Sequence, residues 1–164
     1  MSYLALSVKQ PWAALLVSGL KSVEVRSWTT GFRGPLLIHA ARVPDPRPEG
    51  WAALPDHLAP LARLVGGIVG VGTLTECKPY SDSATFLFDQ ARHWNAPDWF
   101  DPRGLFGWCF TQLHPLPFLR LPGNVRLFRV EHTAEQLGLA APLEPSSVTR
   151  RRHRLIQSLG LSND

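Results

Sequence analysis

Cysteine is nearly absent from this chain of 164 residues: it has two, Cys77 and Cys109. Each lies in or beside an apolar run, which reads as a buried thiol, and two cysteines exclude a disulfide-scaffolded fold. No apolar run reaches the ~20 residues that cross a bilayer. The opening residues, Met1-Ser2-Tyr3-Leu4, lack the basic start and long apolar stretch of a secretory leader. The expected compartment is therefore the cytoplasm, with no membrane partner. Phosphate-cradling glycine loops of the dinucleotide or P-loop kind are missing. The six histidines, His39, His57, His93, His114, His132 and His153, are scattered and show no zinc-like spacing with cysteine. No metal and no other cofactor is expected.

Proline and glycine, by contrast, number 15 and 13, and tryptophan six. The first pair points to many short elements joined by turns and argues against a helical bundle. The tryptophans supply flat side chains that fill a core or stack on bases. The length suits one domain with a real core. Residues 1–145 are read as that domain, and 146–164 as a basic tail or helix carrying Arg150-Arg151-Arg152-His153-Arg154.

The net charge of +4 is unevenly spread. Lys9, Lys21, Arg26, Arg33 and Arg42 face only Glu24 within residues 1–43, a balance of +4. Residues 44–101 reverse the sign, with eight acids against four bases. Residues 102–132 return to +3 through Arg103, Arg120, Arg126 and Arg129 against Glu131. Basic character held in the outer parts of the chain is how a patch for a polyanion is built.

Periodicity places strands at Leu4–Val8, Ser22–Trp28, Leu36–Ala40, Gly67–Glu76, Leu105–Leu113 and Val125–Val130. Pro11 is placed at the first position of a helix with Trp12, Leu15 and Leu16 on one face, ended by Gly19. Residues 51–64 read as helix broken by Pro55 and Pro60, and residues 86–94 as a further helix inside the poorly legible stretch 77–104. Gly70 and Gly72 mark a bend or a close backbone approach. Five or six strands, two or three short helices and no βαβ rhythm predict an α+β fold, a mixed barrel rather than a doubly wound sheet.

One strand concentrates charge. Val23 and Val25 point to one side, while Ser22, Glu24, Arg26 and Trp28 point to the other, and Lys21 enters from the preceding turn. A carboxylate between two cations stays ionised. Such a cluster either holds a polar ligand or forms a surface ion-pair network worth little energy. Elsewhere the structural role is the stronger reading. Trp51, Trp94, Trp99 and Trp108 are assigned to core or lid, and His39, on a buried strand, to hydrogen-bonded structure rather than a catalytic base.

Taken together, Leu6-Ser7-Val8-Lys9-Gln10-Pro11-Trp12-Ala13, Gly19–Trp28 and Arg33-Gly34-Pro35-Leu36-Leu37-Ile38-His39-Ala40-Ala41 resemble the ASCH (activating-signal-cointegrator homology) family, related to the PUA barrel. The resemblance continues through Ile68–Leu74, Phe106-Gly107-Trp108 and Gly123–Phe128. The N-terminal third is especially similar to the domain found in the eukaryotic transcription coactivator. The resemblance implies a PUA-like mixed β-barrel with flanking short helices and a basic cleft. That cleft would hold single-stranded RNA or DNA, or a nucleotide, on a monomer. Lys21, Arg26 and Arg126 would then contact phosphate, Trp12 or Trp28 stack on a base, Gln10 and Glu24 read polar edges, and Ser7 sit on the floor. Arg33, Gly107, Trp108 and Gly123 complete the set. Protein partners in a regulatory complex are a further class.

The resemblance also implies an alternative, a metal-independent enzyme acting on RNA or a modified nucleoside. Ribonuclease activity is associated with part of the family. A bacterial branch hydrolyses N4-acetylcytidine with a lysine and a threonine. Lys21 matches that lysine, but Glu24 stands at the threonine position, which weakens the amidohydrolase reading. Lys21 and Glu24 would instead form an acid–base pair.

Overall fold

The computed structural model describes residues 2–144. Its strands are β1 (Ser2–Val8), β2 (Val23–Arg26), β3 (Gly34–Ala40), β4 (Gly67–Tyr80), β5 (Leu105–Arg120) and β6 (Phe128–Glu131). Short helices fill the connections: α1 (Trp12–Val17), α2 (Pro48–Ala53), α3 (Ala59–Ala62), α4 (Ser83–Phe88) and α5 (Gln90–His93), with 3₁₀ turns at Asp56–Leu58 and Pro97–Trp99. The strands form one mixed sheet in the order β2-β5-β4-β3-β1-β6, with β1 and β3 parallel and every other pair antiparallel. The ladder does not close, since β2 and β6 are its edges. The expected barrel is thus an open, strongly irregular α+β sheet, compatible with a barrel-like PUA-like fold.

Irregularity lets the two long strands curve. The β4–β5 ladder slips between Ile68 and Gly70, between Val71 and Thr73 and between Leu74 and Glu76. Each slip bends the strand and adds twist. These irregularities also admit Pro115, opposite Gly70, into β5, which therefore runs seven residues past the expected end at Leu113. Gly70 is the close approach anticipated from sequence. A Cβ there would lie 2.5 Å from Val17 Cγ1 and 2.6 Å from the His114 carbonyl oxygen.

Helix α1 is buried on every side, from Trp12 to Val17, rather than along one face. Pro11 occupies its N-cap position instead of its first turn. Gly19, at φ 80°, provides the left-handed residue that ends it. Residues 48–62 break into α2, a 3₁₀ turn and α3, with Pro60 in the first turn of α3. The helix expected over 86–94 divides at Asp89, whose carboxylate accepts from the Tyr80 hydroxyl at 2.7 Å and pairs with Lys78 at 2.9 Å. The last strand is shorter than expected, for Val125 lies in the preceding loop and is 84% exposed. Cys109 is buried and Cys77 half-buried, both as free thiols. The basic tail lies outside the described residues.

Candidate functional site

The end of β1, the start of α1, β2, the end of β3 and the loop after β5 converge on a cleft of about 1470 Å³. Lys9, Lys21, Arg26, Arg42, Arg47 and Arg120 line it, against two carboxylates, Glu24 and Asp45.

One wall is a buried charge cluster. Lys21 follows the turn that ends α1, and its side chain is 1% exposed. Its ammonium donates to the carbonyls of Val23 (2.6 Å) and His93 (2.9 Å) and pairs with Glu24 Oε2 at 3.2 Å. All three N–H groups are thereby committed, and the Trp12 ring centroid lies 5.4 Å away. Burial pushes the Lys21 pKa below its ordinary value, and Glu24 pulls it back up. Glu24 Oε1 lies 3.3 Å from Arg26 Nε, while Arg26 donates through its terminal nitrogen to the Ser7 carbonyl. The three charges named from sequence do meet. They form a braced wall, and Lys21 is too enclosed to reach a phosphate.

A second wall comes from the proline-rich loop after β3. Asp45, 4% exposed, accepts the Trp12 indole N–H at 2.9 Å and pairs with Arg47 at 2.9 Å. Burial raises the Asp45 pKa, but the Arg47 and Trp12 hydrogen bonds outweigh it and hold the carboxyl at about 2. Arg47 lies 3.3 Å above the Trp99 ring, and Trp99 meets Trp12 edge-on at 5.5 Å. Beside them, Asn95 is 4% exposed and its Oδ1 is buried without a hydrogen-bond partner.

The floor joins Ser7 and His39, which face each other in the parallel β1–β3 register. Ser7 Oγ is 3.0 Å from His39 Nδ1, and His39 Nε2 is 2.9 Å from the Leu121 carbonyl oxygen. A carbonyl only accepts, so Nε2 carries the proton and Nδ1 accepts from the serine hydroxyl. Burial pushes the His39 pKa down, against a smaller upward pull from the Leu121 carbonyl. Gly123 presses on this pair. A Cβ there would lie 2.5 Å from both Ser7 Oγ and His39 Cε1.

Ser7, Trp12, Lys21, Glu24, Arg26 and Gly123 therefore line the cleft as the sequence suggested. Gln10 does not. It is fully buried, and its amide is used on the carbonyls of Leu61 and Leu64 and on the Ala14 N–H. Trp108 is wholly buried in the core, Gly107 packs on Tyr80, and Arg33 donates to the carbonyls of Thr30 and Phe32. None of these reaches the cleft. Trp28 meets Trp108 edge-on at 4.7 Å and carries Arg126 at 4.9 Å on its ring, so the two are occupied with each other beside the cleft. Sequence reasoning missed Lys9, Arg42, Asp45, Arg47, Asn95, Trp99 and Arg120 as cleft residues. Trp51, read as core or lid, is 37% exposed and donates to the Asp45 carbonyl. For Lys9, Arg42 and Arg120 the signal was the basic excess of the outer segments, and for Asp45 and Arg47 it was charge clustered among prolines, which by itself reads as a solvated loop.

With the geometry established, comparison with known proteins places the chain. The ASCH domain model matches residues 6–103. The chain belongs to the ASCH domain family. That family is generally linked to RNA binding. The ASCH domain here is 60% identical over 43 residues to activating signal cointegrator 1 of Homo sapiens, a match covering 26% of this chain and 7% of that protein. The Mus musculus counterpart is 57% identical over 44 residues, 27% of this chain and again 7% of that protein. The matched stretch is thus a small part of either coactivator. The ASCH structure from Zymomonas mobilis superposes with a TM-score of 0.55 at 15% identity, covering 82% of this chain and 90% of that one. At that identity the likeness establishes the fold.

Proposed function

We propose that this ASCH domain is a binding module that holds single-stranded RNA or DNA, or a nucleotide, in the cleft. The observation that carries this reading is the accounting of charge along the cleft. Glu24 is paired with Lys21 and Arg26, and Asp45 with Arg47. Lys9, Arg42 and Arg120 are exposed and have no carboxylate partner among the described residues. Three unneutralised cations on one concave surface attract a polyanion, whose phosphates fix register without reading sequence. Trp99, half-buried at the cleft, supplies an aromatic surface for a base.

Lys21 and Glu24 serve as support in this reading, since Lys21 is enclosed and is held by the Val23 and His93 carbonyls and the Glu24 carboxylate. The test is titration of labelled single-stranded RNA and DNA by fluorescence anisotropy, in EDTA, across a salt series. Affinity should fall with salt, and Arg42→Ala and Arg120→Ala should each flatten the slope by about 0.7, the single-strand value for one phosphate contact. Binding that ignores salt, or slopes unchanged in both variants, would remove the cleft as the nucleic-acid site.

A further inference from the structure

We propose that Ser7 and His39 form a nucleophile–base pair that cleaves a carboxylic ester carried on a phosphate-bearing molecule in the cleft. The pair is assembled by register. Ser7 stands directly opposite His39 across the parallel β1–β3 ladder, and the antiparallel ladder on the other side slips by one residue at the same place, with Ile38 opposite Gly70 and His39 opposite Ile68. Irregularities of this kind re-aim a side chain next to a site.

Three features distinguish the pair from an ordinary buried hydrogen bond. The first is direction. The Leu121 carbonyl holds the Nε2 proton, so the serine hydroxyl points its own proton at an imidazole lone pair. The second is access. Both residues line the cleft, with Ser7 half-buried and His39 almost wholly enclosed. The third is the backbone at Gly123, which approaches so closely that any side chain would collide with Ser7 Oγ. Glycine at 123 keeps that side of the reacting oxygen free of a side chain.

The reaction balances with water as the only co-reactant. Ser7 Oγ bonds to the acyl carbon as its proton passes to His39 Nδ1, and the alcohol oxygen leaves with that proton. Water then attacks the acyl-serine, again losing a proton to Nδ1. The carboxylic acid departs as Ser7 Oγ recovers its proton. His39 is oriented by a neutral carbonyl rather than a carboxylate, which gives less support to the imidazolium and suits the better leaving groups of esters over amides. The phosphate requirement rests on the binding reading above, through Lys9, Arg42 and Arg120 on the same cleft.

The test uses the full chain with adenosine 5′-phosphate acetylated on a ribose hydroxyl, alongside the same ester without the phosphate. Acetate release should fall about 100-fold or more in Ser7→Ala and in His39→Gln, the lower range for loss of a positioned base. Mass spectrometry of acid-quenched protein should find one acetyl group on the Ser7 peptide. If His39→Gln does not fold, Ser7→Cys carries the test, because its thiol should be acetylated while Cys77 and Cys109 are not. No turnover above buffer, turnover undiminished in Ser7→Ala, or acetylation confined to other residues would each overturn the pair. Equal turnover of both esters, together with absent RNA binding, would overturn the binding reading while leaving the pair in place.

Discussion

The cations of this cleft are of two kinds, and the contrast between them separates folding from binding. Lys21 is enclosed, with every proton donated, and it ties the β2 wall to the end of α5 through His93. Lys9, Arg42 and Arg120 stand exposed on the cleft with no acid paired to them among the described residues. A charge count treats the four as equal. Their energetics differ in kind, since a buried ion pair that loses one partner leaves an uncompensated charge, whereas an exposed cation loses only a screened interaction.

The largest expected effect tests the enclosed side. Lys21→Ala should destabilise the fold by about 3–5 kcal/mol, the range for breaking a buried pair, measured by urea denaturation. The double variant Lys21→Met with Glu24→Gln should recover part of that loss, because the buried ammonium and its carboxylate are removed together while Arg26 keeps the Ser7 carbonyl. A single variant as stable as the wild type would place Lys21 with the exposed cations.

Asp45→Asn comes next, at about 1.5–3 kcal/mol for hydrogen bonds to a charged group. It should also weaken nucleic-acid binding, since Asp45 holds Arg47 over Trp99. The sign of its pH dependence follows from a carboxyl held at about 2 when folded, below its ordinary 3.8. Its contribution is complete above the unfolded value and is lost as pH falls from there through about 2. Wild type and variant should therefore converge in acid, and a constant gap in denaturation midpoints down to the lower limit would contradict the assignment.

Substitutions of the exposed cations sharpen the other side. Arg42→Ala and Arg120→Ala should leave stability within about 0.5 kcal/mol while lowering affinity and salt slope. Thermal melts beside anisotropy titrations on the same samples would separate the two effects. The smallest effect concerns His39, whose pKa is held below its ordinary 6.5 when folded. The unfolded chain takes up the proton more readily, so stability is complete above that value and falls as pH drops below it. His39→Gln should flatten this part of the stability curve, and an unchanged slope would show that His39 does not set it.

The legible parts of the protein were those encoded by neighbouring residues. Gly19 marked the end of α1, Gly70 marked a close approach, and Lys21, Glu24 and Arg26 were read as one cluster because six residues contain them. What failed depended on burial. Gln10 and Trp108 carry groups that could meet a base, yet both are fully enclosed, and Lys21 reads as a phosphate contact because nothing local announces that its ammonium lies under the His93 carbonyl. The division at Asp89 was equally hidden, for it depends on Tyr80 and Lys78 from β4.

The amino-acid sequence by itself determined the α+β class, the order of strands along the chain, the ASCH family and the excess of positive charge in the outer parts of the chain. Periodicity, turn residues and local charge act between near neighbours, so they can be read along one dimension. Only the tertiary structure decided which cations are buried and which remain free, and that the sheet stays open. It alone set Ser7 against His39, 32 positions apart, beneath Gly123. Those outcomes depend on strand order, register and the desolvation of each group by residues distant in the chain.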